Sequence, residues 1–163
     1  PHDKKRILFY VNLDFRDNVK AMFDYLLENR YNEKYKIVCV CSDYQKYLSL
    51  DVPNVKFVNK IEGIFHFLLA GYVFYCNGKY PILPGWGQQI IQMWHGAPFK
   101  APDEGMRKLH TRWLPYYTMV LSTSRFLVPV WSHHFSFPKE KIYVGGYPRC
   151  DLLFKENPMY DFP

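Results

Sequence analysis

Short apolar runs of strand length recur along the whole chain and alternate with segments of helical periodicity. The runs occupy residues 6–11, 37–41, 55–58, 72–76, 90–94, 118–122 and 141–144. They are mostly continuous apolar runs, which is typical of strands covered on both faces. Helical spacing follows the first run from Val19 to about Asn29, with Asp17 or Asn18 as the N-cap. Strands that alternate with helices predict a Rossmann-like α/β fold, with a mainly parallel sheet flanked by helices.

Further helices are predicted from capping residues and from apolar spacing. A short helix spans about residues 44–50, and residues 61–70 form a helix that ends with Gly71 as its C′ residue. Within the longer helix we interpret His66 as a hydrogen-bonded core histidine. We also interpret its large apolar residues as core, namely Phe65, Phe67, Leu68 and Leu69.

The remaining segments are less regular. Residues 77–87 are rich in glycine, proline and aromatic residues, which predicts an irregular surface segment, either a lid or a lipid-facing loop. Residues 101–112 are charged and partly helical. A last helix begins among residues 122–124 and reaches about His134, so Pro129 requires a kink or an early stop.

Size and charge narrow the class of protein. The chain has 163 residues, which predicts one domain with a substantial core. Its net charge of +6 suits a phosphate-rich partner or an anionic membrane surface; we expect no nucleic-acid partner. The longest apolar run, residues 64–76, is shorter than the roughly 18 residues of a membrane span. Neither GxGxxG after the first strand nor a Walker loop is present, which disfavours a self-contained NAD or ATP domain.

The four cysteines form no CxxC pair. They are Cys39, Cys41, Cys76 and Cys150. Two interpretations are open, a metal site or buried free thiols in a reducing compartment, and the second is far commoner for such spacing. We therefore expect neither a metal nor a cofactor in this domain.

A break at the end of the fifth apolar run is the strongest candidate for chemistry. The run ends at Trp94, and His95 and Gly96 follow at the break. In open α/β sheets, ligands bind outside the carboxyl ends of the strands. A histidine there suits proton transfer because its ordinary pKa of about 6.5 makes both protonation states accessible. The alternative is an exposed histidine in an ordinary turn.

Three loops are expected to meet at this edge of the sheet. They follow the first, fifth and seventh strands and comprise residues 16–18, 95–100 and 145–151. In the last loop, Arg149 is suited to bidentate phosphate binding, and Asp151 to orienting Arg149 or to capping a helix. The same residues also fit a tight turn with a surface ion pair. Both interpretations remain open from spacing alone.

Two motifs in these loops resemble a known enzyme family. Residues 92–100, Gln-Met-Trp-His-Gly-Ala-Pro-Phe-Lys, resemble the Trp-His-Gly-Thr-Pro-Leu-Lys motif of the CDP-glycerol glycerophosphotransferases of teichoic acid synthesis. Residues 146–151, Gly-Tyr-Pro-Arg-Cys-Asp, resemble the family's Gly-x-Pro-Arg-Asn-Asp motif. The first strand and helix are also similar, so the resemblance covers residues 4–154. Three residues depart from the motifs, since Ala97 replaces threonine, Phe99 replaces leucine and Cys150 replaces asparagine.

The resemblance implies both a fold and a mechanism. It implies the N-terminal, acceptor-side half of a GT-B-type fold, with a donor-binding C-terminal domain elsewhere in the enzyme. His95 would be the general base that deprotonates the acceptor hydroxyl, which attacks the β-phosphate of CDP-glycerol and releases CMP. Lys100 and Arg149 would position phosphate, in line with the need for cations around a phosphoryl group.

The motifs and their loops together assign the candidate site. Substrate or phosphate binding is assigned to Arg16, Asn18, Gly96, Lys100, Gly146 and Arg149. Supporting roles are assigned to Trp94, Pro98 and Asp151.

The resemblance also implies partners and a location. The acceptor would be a lipid-linked polyol-phosphate chain of teichoic acid or capsule type. The protein would lie at the inner face of a bacterial membrane as a cytoplasmic, peripheral protein. Two alternatives remain, a non-catalytic module that binds anionic membranes or polyanions, and a GT-B glycosyltransferase domain.

Overall fold

Seven parallel strands form one sheet in the computed structural model, which describes residues 2–96 and 116–154. The strands are β1 Asp3–Tyr10, β2 Lys36–Val40, β3 Val55–Val58, β4 Ala70–Tyr75, β5 Gln89–Gln92, β6 Met119–Ser122 and β7 Ile142–Val144. The described helices are α1 Asp17–Glu28, α2 Lys60–Leu69 and α3 Val128–Phe135. The strand order is β3-β2-β1-β4-β5-β6-β7, and every pair is parallel. The predicted Rossmann-like sheet flanked by helices is confirmed.

The two faces of the sheet carry separate halves of the core. Successive side chains of a strand point to opposite faces, and in β1 Phe9 lies on the α1 face while Leu8 lies on the face of α2 and α3. Val19, Phe23 and Leu26 of α1 complete one half. The other half is completed from α2 and α3. Its helical members are Phe67, Trp131 and Phe135.

The structure corrects the predicted end of α2. Ala70 is extended (φ −69°, ψ 135°) and already begins β4, so Gly71, which follows this C-cap, is a strand residue without the left-handed backbone typical of a C′ glycine. Glycine is needed at position 71 because the backbone of β1 lies very close to it. A Cβ at Gly71 would lie 2.8 Å from the carbonyl oxygen of Asp3 and 2.9 Å from the Cα of Lys4 in the neighbouring strand. The glycine therefore lets β1 and β4 pair where they begin.

The predicted core face of α2 is also wrong in part. Phe67 is buried, but Phe65 is 62% exposed and Leu68 is 53% exposed. Gly63 and Phe67 face the sheet, so the bulky residues on the other side of the helix turn outwards. His66 is hydrogen-bonded as expected, since its Nδ1 lies 3.4 Å from an Arg6 guanidinium nitrogen.

Smaller differences concern helix ends. The predicted helix at 44–50 is a short 3-10 turn, Tyr44–Tyr47. Pro129 falls in the first turn of α3, where its missing N–H costs nothing, so it starts the helix and does not kink it. The helix predicted within 101–112 lies outside the described residues. In residues 2–96 and 116–154, no helix has the length and hydropathy needed to cross a membrane.

Candidate functional site

Three loops converge at the carboxyl edge of the sheet, as predicted. The order of the strands reverses between β1 and β4, which is where open α/β sheets bind ligands. The Asn18 side chain, which follows β1, bonds both to the turn at His95 and to the loop after β7. The Asn18 Nδ2 donates to the Trp94 carbonyl oxygen at 2.8 Å, and the Arg149 N–H donates to Asn18 Oδ1 at 3.2 Å.

The backbone at Trp94 has an unusual conformation. Its φ of +59° lies in the left-handed region, which residues other than glycine seldom adopt. The Trp94 N–H donates to Gln92 Oε1 at 2.9 Å, and the Trp94 carbonyl accepts from both Asn18 and the Cys76 thiol, the latter at 3.0 Å. One residue further on, the Tyr147 hydroxyl donates to the Gly96 carbonyl at 2.8 Å. Side chains from three other segments thus hold the backbone on both sides of His95.

The Cys76 thiol can serve as a donor here because it stays protonated. Burial raises its pKa to about 12, with a smaller contribution from the negative charge of Asp17. Cys39 and Cys41 are also buried free thiols, whereas Cys150 is exposed. Among the described residues, no group of three or more His, Cys, Asp or Glu could hold a metal ion.

His95 itself is exposed, and its ring stacks on the indole of Trp94 with 4.4 Å between the centroids. The indole in turn makes edge contacts with α3, at 6.0 Å to Trp131 and 5.1 Å to Phe135. The Trp94 indole therefore covers one face of the imidazole, and the other face is open to solvent. That arrangement leaves His95 accessible to a substrate hydroxyl.

Arg149 is oriented by a carboxylate that the sequence did not point to. Its guanidinium donates to Asp17 Oδ1 at 2.9 Å and lies over the Tyr147 ring, 5.6 Å from the centroid. The Asp17 carboxylate also accepts from the Asn18 N–H at 2.8 Å. The backbone of Asp17 is left-handed, with φ of +64°. The predicted partner, Asp151, is exposed. The Arg149 side chain remains partly exposed, at 38%, and so can also reach an anion.

The other assigned residues fall at or near this edge. Asn18 is completely buried, so it contacts other protein groups and not solvent. Arg16 is exposed at the N-cap position of α1. Gly146 has φ of +79°, a conformation that favours glycine and turns the loop after β7. Pro98 and Lys100 lie outside the described residues.

Sequence reasoning did not single out Cys76, Gln92 and Tyr147, all of which bond to the turn at His95. The available signal was position, because Cys76 and Gln92 directly follow or end the neighbouring strands β4 and β5. A groove of about 690 Å³ adjoins the site on the α1 face. It is lined in part by Met22, Leu121 and Tyr147.

Comparisons with known proteins agree with this picture of the fold. The chain matches the family described as CDP-Glycerol:Poly(glycerophosphate) glycerophosphotransferase over residues 1–160. The chain belongs to this glycerophosphotransferase family. It is 28% identical to the teichoic acid poly(glycerol phosphate) polymerase of Bacillus spizizenii (strain ATCC 23059 / NRRL B-14472 / W23), over 96% of this chain and 44% of the polymerase.

Solved structures of the same family share the fold. A histidine-to-alanine variant of the wall teichoic acid polymerase TagF superimposes with a TM-score of 0.79 at 20% identity, covering 95% of this chain and 42% of TagF. A histidine-to-asparagine variant of TagF soaked with CDPG gives a TM-score of 0.73 at 17% identity, covering 98% and 44%. These likenesses agree with the expected GT-B-type fold. The glycerophosphotransferase chain described here spans less than half the length of these relatives.

Proposed function

We propose that this chain is the acceptor-side domain of a CDP-glycerol glycerophosphotransferase that extends a lipid-linked teichoic acid or capsule-type polymer. The observation that carries the proposal is the joining of the His95 turn to the Arg149 loop through Asn18, at the edge where such sheets bind ligands. Family membership supplies the reaction class. The donor-binding C-terminal domain would be supplied by another part of the complete enzyme.

The proposed chemistry is a single displacement at phosphorus. His95 takes the proton from an acceptor hydroxyl while that oxygen bonds to the β-phosphorus of CDP-glycerol. The bond from this phosphorus to the bridging oxygen breaks, and the electron pair leaves with CMP. Arg149, and Lys100 five residues after His95 in the sequence, would offset the negative charge on the phosphoryl oxygens. The mechanism uses no metal or cofactor from this domain.

The test is His95→Ala in the complete enzyme with CDP-glycerol and a lipid-linked acceptor. We expect the rate of CMP release to fall on the order of 10²- to 10⁴-fold, the usual contribution of a general base. His133→Ala is the matched control, because His133 is another exposed histidine, on α3, and it should keep the full rate. Near-normal turnover by His95→Ala, with the control unchanged, would rule out the general-base role.

A second candidate function, docking on an anionic membrane, is favoured by the surface of α2. Four apolar residues at helical spacing form an outward stripe, Ile61, Ile64, Phe65 and Leu68. Ile61 is 83% exposed. Glu62 of the same helix is paired to Lys56 at 2.5 Å. An apolar stripe that faces solvent, with charge on its flanks, is typical of helices that lie in a membrane interface.

Neighbouring groups extend this surface in a way that suits lipid headgroups. Trp86 is 99% exposed, and its loop is tied to the end of α2 because Gln88 donates to the carbonyls of Phe67 and Ala70. Tryptophan is enriched at membrane interfaces. The lysines Lys4 and Lys60 lie on the two neighbouring elements β1 and α2 and supply positive charge. The membrane contact would bring the acceptor-side domain to its lipid-linked substrate at the cytoplasmic face.

Vesicle binding separates this role from the catalytic one. The chain should bind vesicles of mixed anionic and zwitterionic lipid more tightly than zwitterionic vesicles, and binding should weaken as salt rises. Phe65→Ser with Trp86→Ser should reduce binding strongly, whereas Tyr25→Ser, at an exposed aromatic on α1, should not. Equal binding by all variants would exclude this surface. A non-catalytic module would bind vesicles in this way and yet show no transfer in the complete protein.

A further inference from the structure

The turn that carries His95 is held by side chains that the proposed chemistry does not use. Trp94 has a left-handed backbone, which an L-residue keeps only when its surroundings impose it. Its N–H and its carbonyl oxygen are both bonded to side chains, and so is the carbonyl oxygen of Gly96. His95 therefore sits between two fixed peptide groups although its own ring is exposed.

Asn18 differs from the other members of this arrangement because it binds two loops at once. Its amide nitrogen holds the Trp94 carbonyl, and its amide oxygen holds the Arg149 N–H. The side chain is fully buried, so it cannot contact a substrate. The Asn18 amide, together with the bond from the Tyr147 hydroxyl to the Gly96 carbonyl, thus sets the separation between the turn of the candidate base and the loop of the candidate phosphate-binding cation.

We propose that Asn18 is a positioning residue that sets the His95 turn relative to the Arg149 loop, with Cys76, Gln92 and Tyr147 holding the turn beside it. This inference rests on the proposed function for its catalytic consequence, but the geometry of the turn can be tested without activity. Misplacement of a reacting group by about 1 Å can cost on the order of 100-fold in rate. A buried asparagine is well suited to such a task, because its two ends are a donor and an acceptor.

Asn18→Asp removes the donor of the side chain and keeps its acceptor, so it tests the two hydrogen bonds separately. The carboxylate keeps the shape and still accepts from the Arg149 N–H, but it places an oxygen where the amide donated to Trp94. The carbonyl of Trp94 then faces a like partial charge, so the turn at His95 should move while the Arg149 loop stays. Val19→Ala is the matched control, because Val19 is the next residue of α1, is fully buried in the core and has no polar side-chain atom that could bond to the turn.

The first measurement is the NMR signal of the His95 Hε1 proton in this chain, assigned by its loss in His95→Ala. Stacking on the Trp94 ring should shift this signal upfield. Asn18→Asp should move it towards the position of an unstacked histidine, and Val19→Ala should leave it in place even if the chain is less stable. An unchanged His95 signal in folded Asn18→Asp would overturn the proposal.

A second pair of variants tests the other groups that hold the turn, whether or not Asn18→Asp folds. Tyr147→Phe removes the donor to Gly96 and keeps the ring, and Cys76→Ala removes a donor to Trp94. The double variant should move the same His95 signal, since both groups hold one turn. Failure of the signal to move in that variant would overturn the part of the proposal in which Cys76 and Tyr147 hold the turn.

The second measurement is steady-state transfer by the complete enzyme. Asn18→Asp should lower kcat on the order of 10- to 100-fold, with a smaller change in KM for CDP-glycerol because the hydrogen bond to Arg149 is retained. Val19→Ala should keep kcat. If His95→Ala retained activity, the proposed function would fail while the NMR shift still reported on the turn. If His95→Ala were inactive but Asn18→Asp kept its kcat, the positioning role alone would fail.

Discussion

Helices α1 and α2 lie on opposite faces of one sheet and dispose their apolar residues in opposite ways. In α1, Val19 and Phe23 are buried against the strands and its first turn supports the candidate site. In α2, Phe67 provides the buried contact, while Ile61 and Phe65 face solvent. An amphipathic pattern therefore indicates that a helix has an apolar side, and the helix's neighbours decide where that side points. We expect α1 to serve stability and α2 to serve docking.

The largest expected difference is between two phenylalanines. Phe23 of α1 is 4% exposed and makes edge contacts with the rings of Phe9, Phe15 and Phe57. Phe23→Ala should lower the free energy of unfolding by about 3–5 kcal/mol, the usual cost of removing a buried ring. Phe65→Ala should change it by about 0.5 kcal/mol or less, as at other exposed positions.

Urea unfolding of both variants measures these changes. A loss of comparable size from Phe65→Ala would show that α2 also packs through its outer stripe, and the comparison would then fail.

Alkaline pH should lower the free energy of unfolding through Cys76, which is buried in the half of the core on the α1 face. Burial raises the pKa of this thiol to about 12, whereas an unfolded thiol ionises near 8.5. Above pH 8.5 the unfolded state loses a proton that the native state keeps, so stability falls as pH rises towards the native pKa. At pH 10 the loss from Cys76 is ~2 kcal/mol.

Urea unfolding between pH 8 and pH 11 measures this slope. Cys76→Ala should make the slope shallower, and Cys150→Ala, which removes an exposed thiol, should not. Identical slopes in all three proteins would contradict the assignment.

The comparison also shows which parts of the fold could be predicted from sequence. The apolar runs revealed the strands because burial on both faces leaves few polar positions in them. Parallel strands then brought the loops of His95 and Arg149 to one edge. The outward stripe of α2 could not be predicted, since helical spacing groups Ile61 with Phe65 without fixing which side meets the sheet. The partner of Arg149 was missed for a similar reason. Asp17 is 132 residues away in sequence, and only the folded sheet makes it nearer than Asp151.

Gly63 of α2 tests how closely that helix approaches the sheet. Alanine at an exposed helical position would stabilise the helix by about 1 kcal/mol relative to glycine. At Gly63, however, a Cβ would lie 2.7 Å from a Val40 methyl and closer still to the Tyr80 hydroxyl. We expect Gly63→Ala to destabilise the chain by about 1–3 kcal/mol, the usual cost of overpacking.

Thermal unfolding of Gly63→Ala, with and without Tyr80→Phe, measures this contact. Removal of the hydroxyl should recover part of the loss. A stabilised Gly63→Ala would mean that α2 lies further from β2 than the structure places it.

The smallest expected changes in stability come from the residues at the N-termini of α2 and α1. Asn59 caps α2, because its Oδ1 accepts from the N–H groups of Ile61 and Glu62 at 2.9 Å each. Arg16 occupies the same position at α1 without a side-chain bond to the helix. Asn59→Ala should therefore cost about 1 kcal/mol of stability, and Arg16→Ala should cost less than about 0.5 kcal/mol.

Activity should show the reverse order, because the first turn of α1 is engaged in the site through Asp17 and Arg149. Arg16→Ala should lower transfer by the complete enzyme, since an exposed cation at that edge is placed to attract phosphate. Asn59→Ala should leave transfer unchanged at temperatures where the variant is folded. If both variants lost stability and activity together, the two helix ends would not be specialised, and Arg16 would have no role beyond its place in the chain.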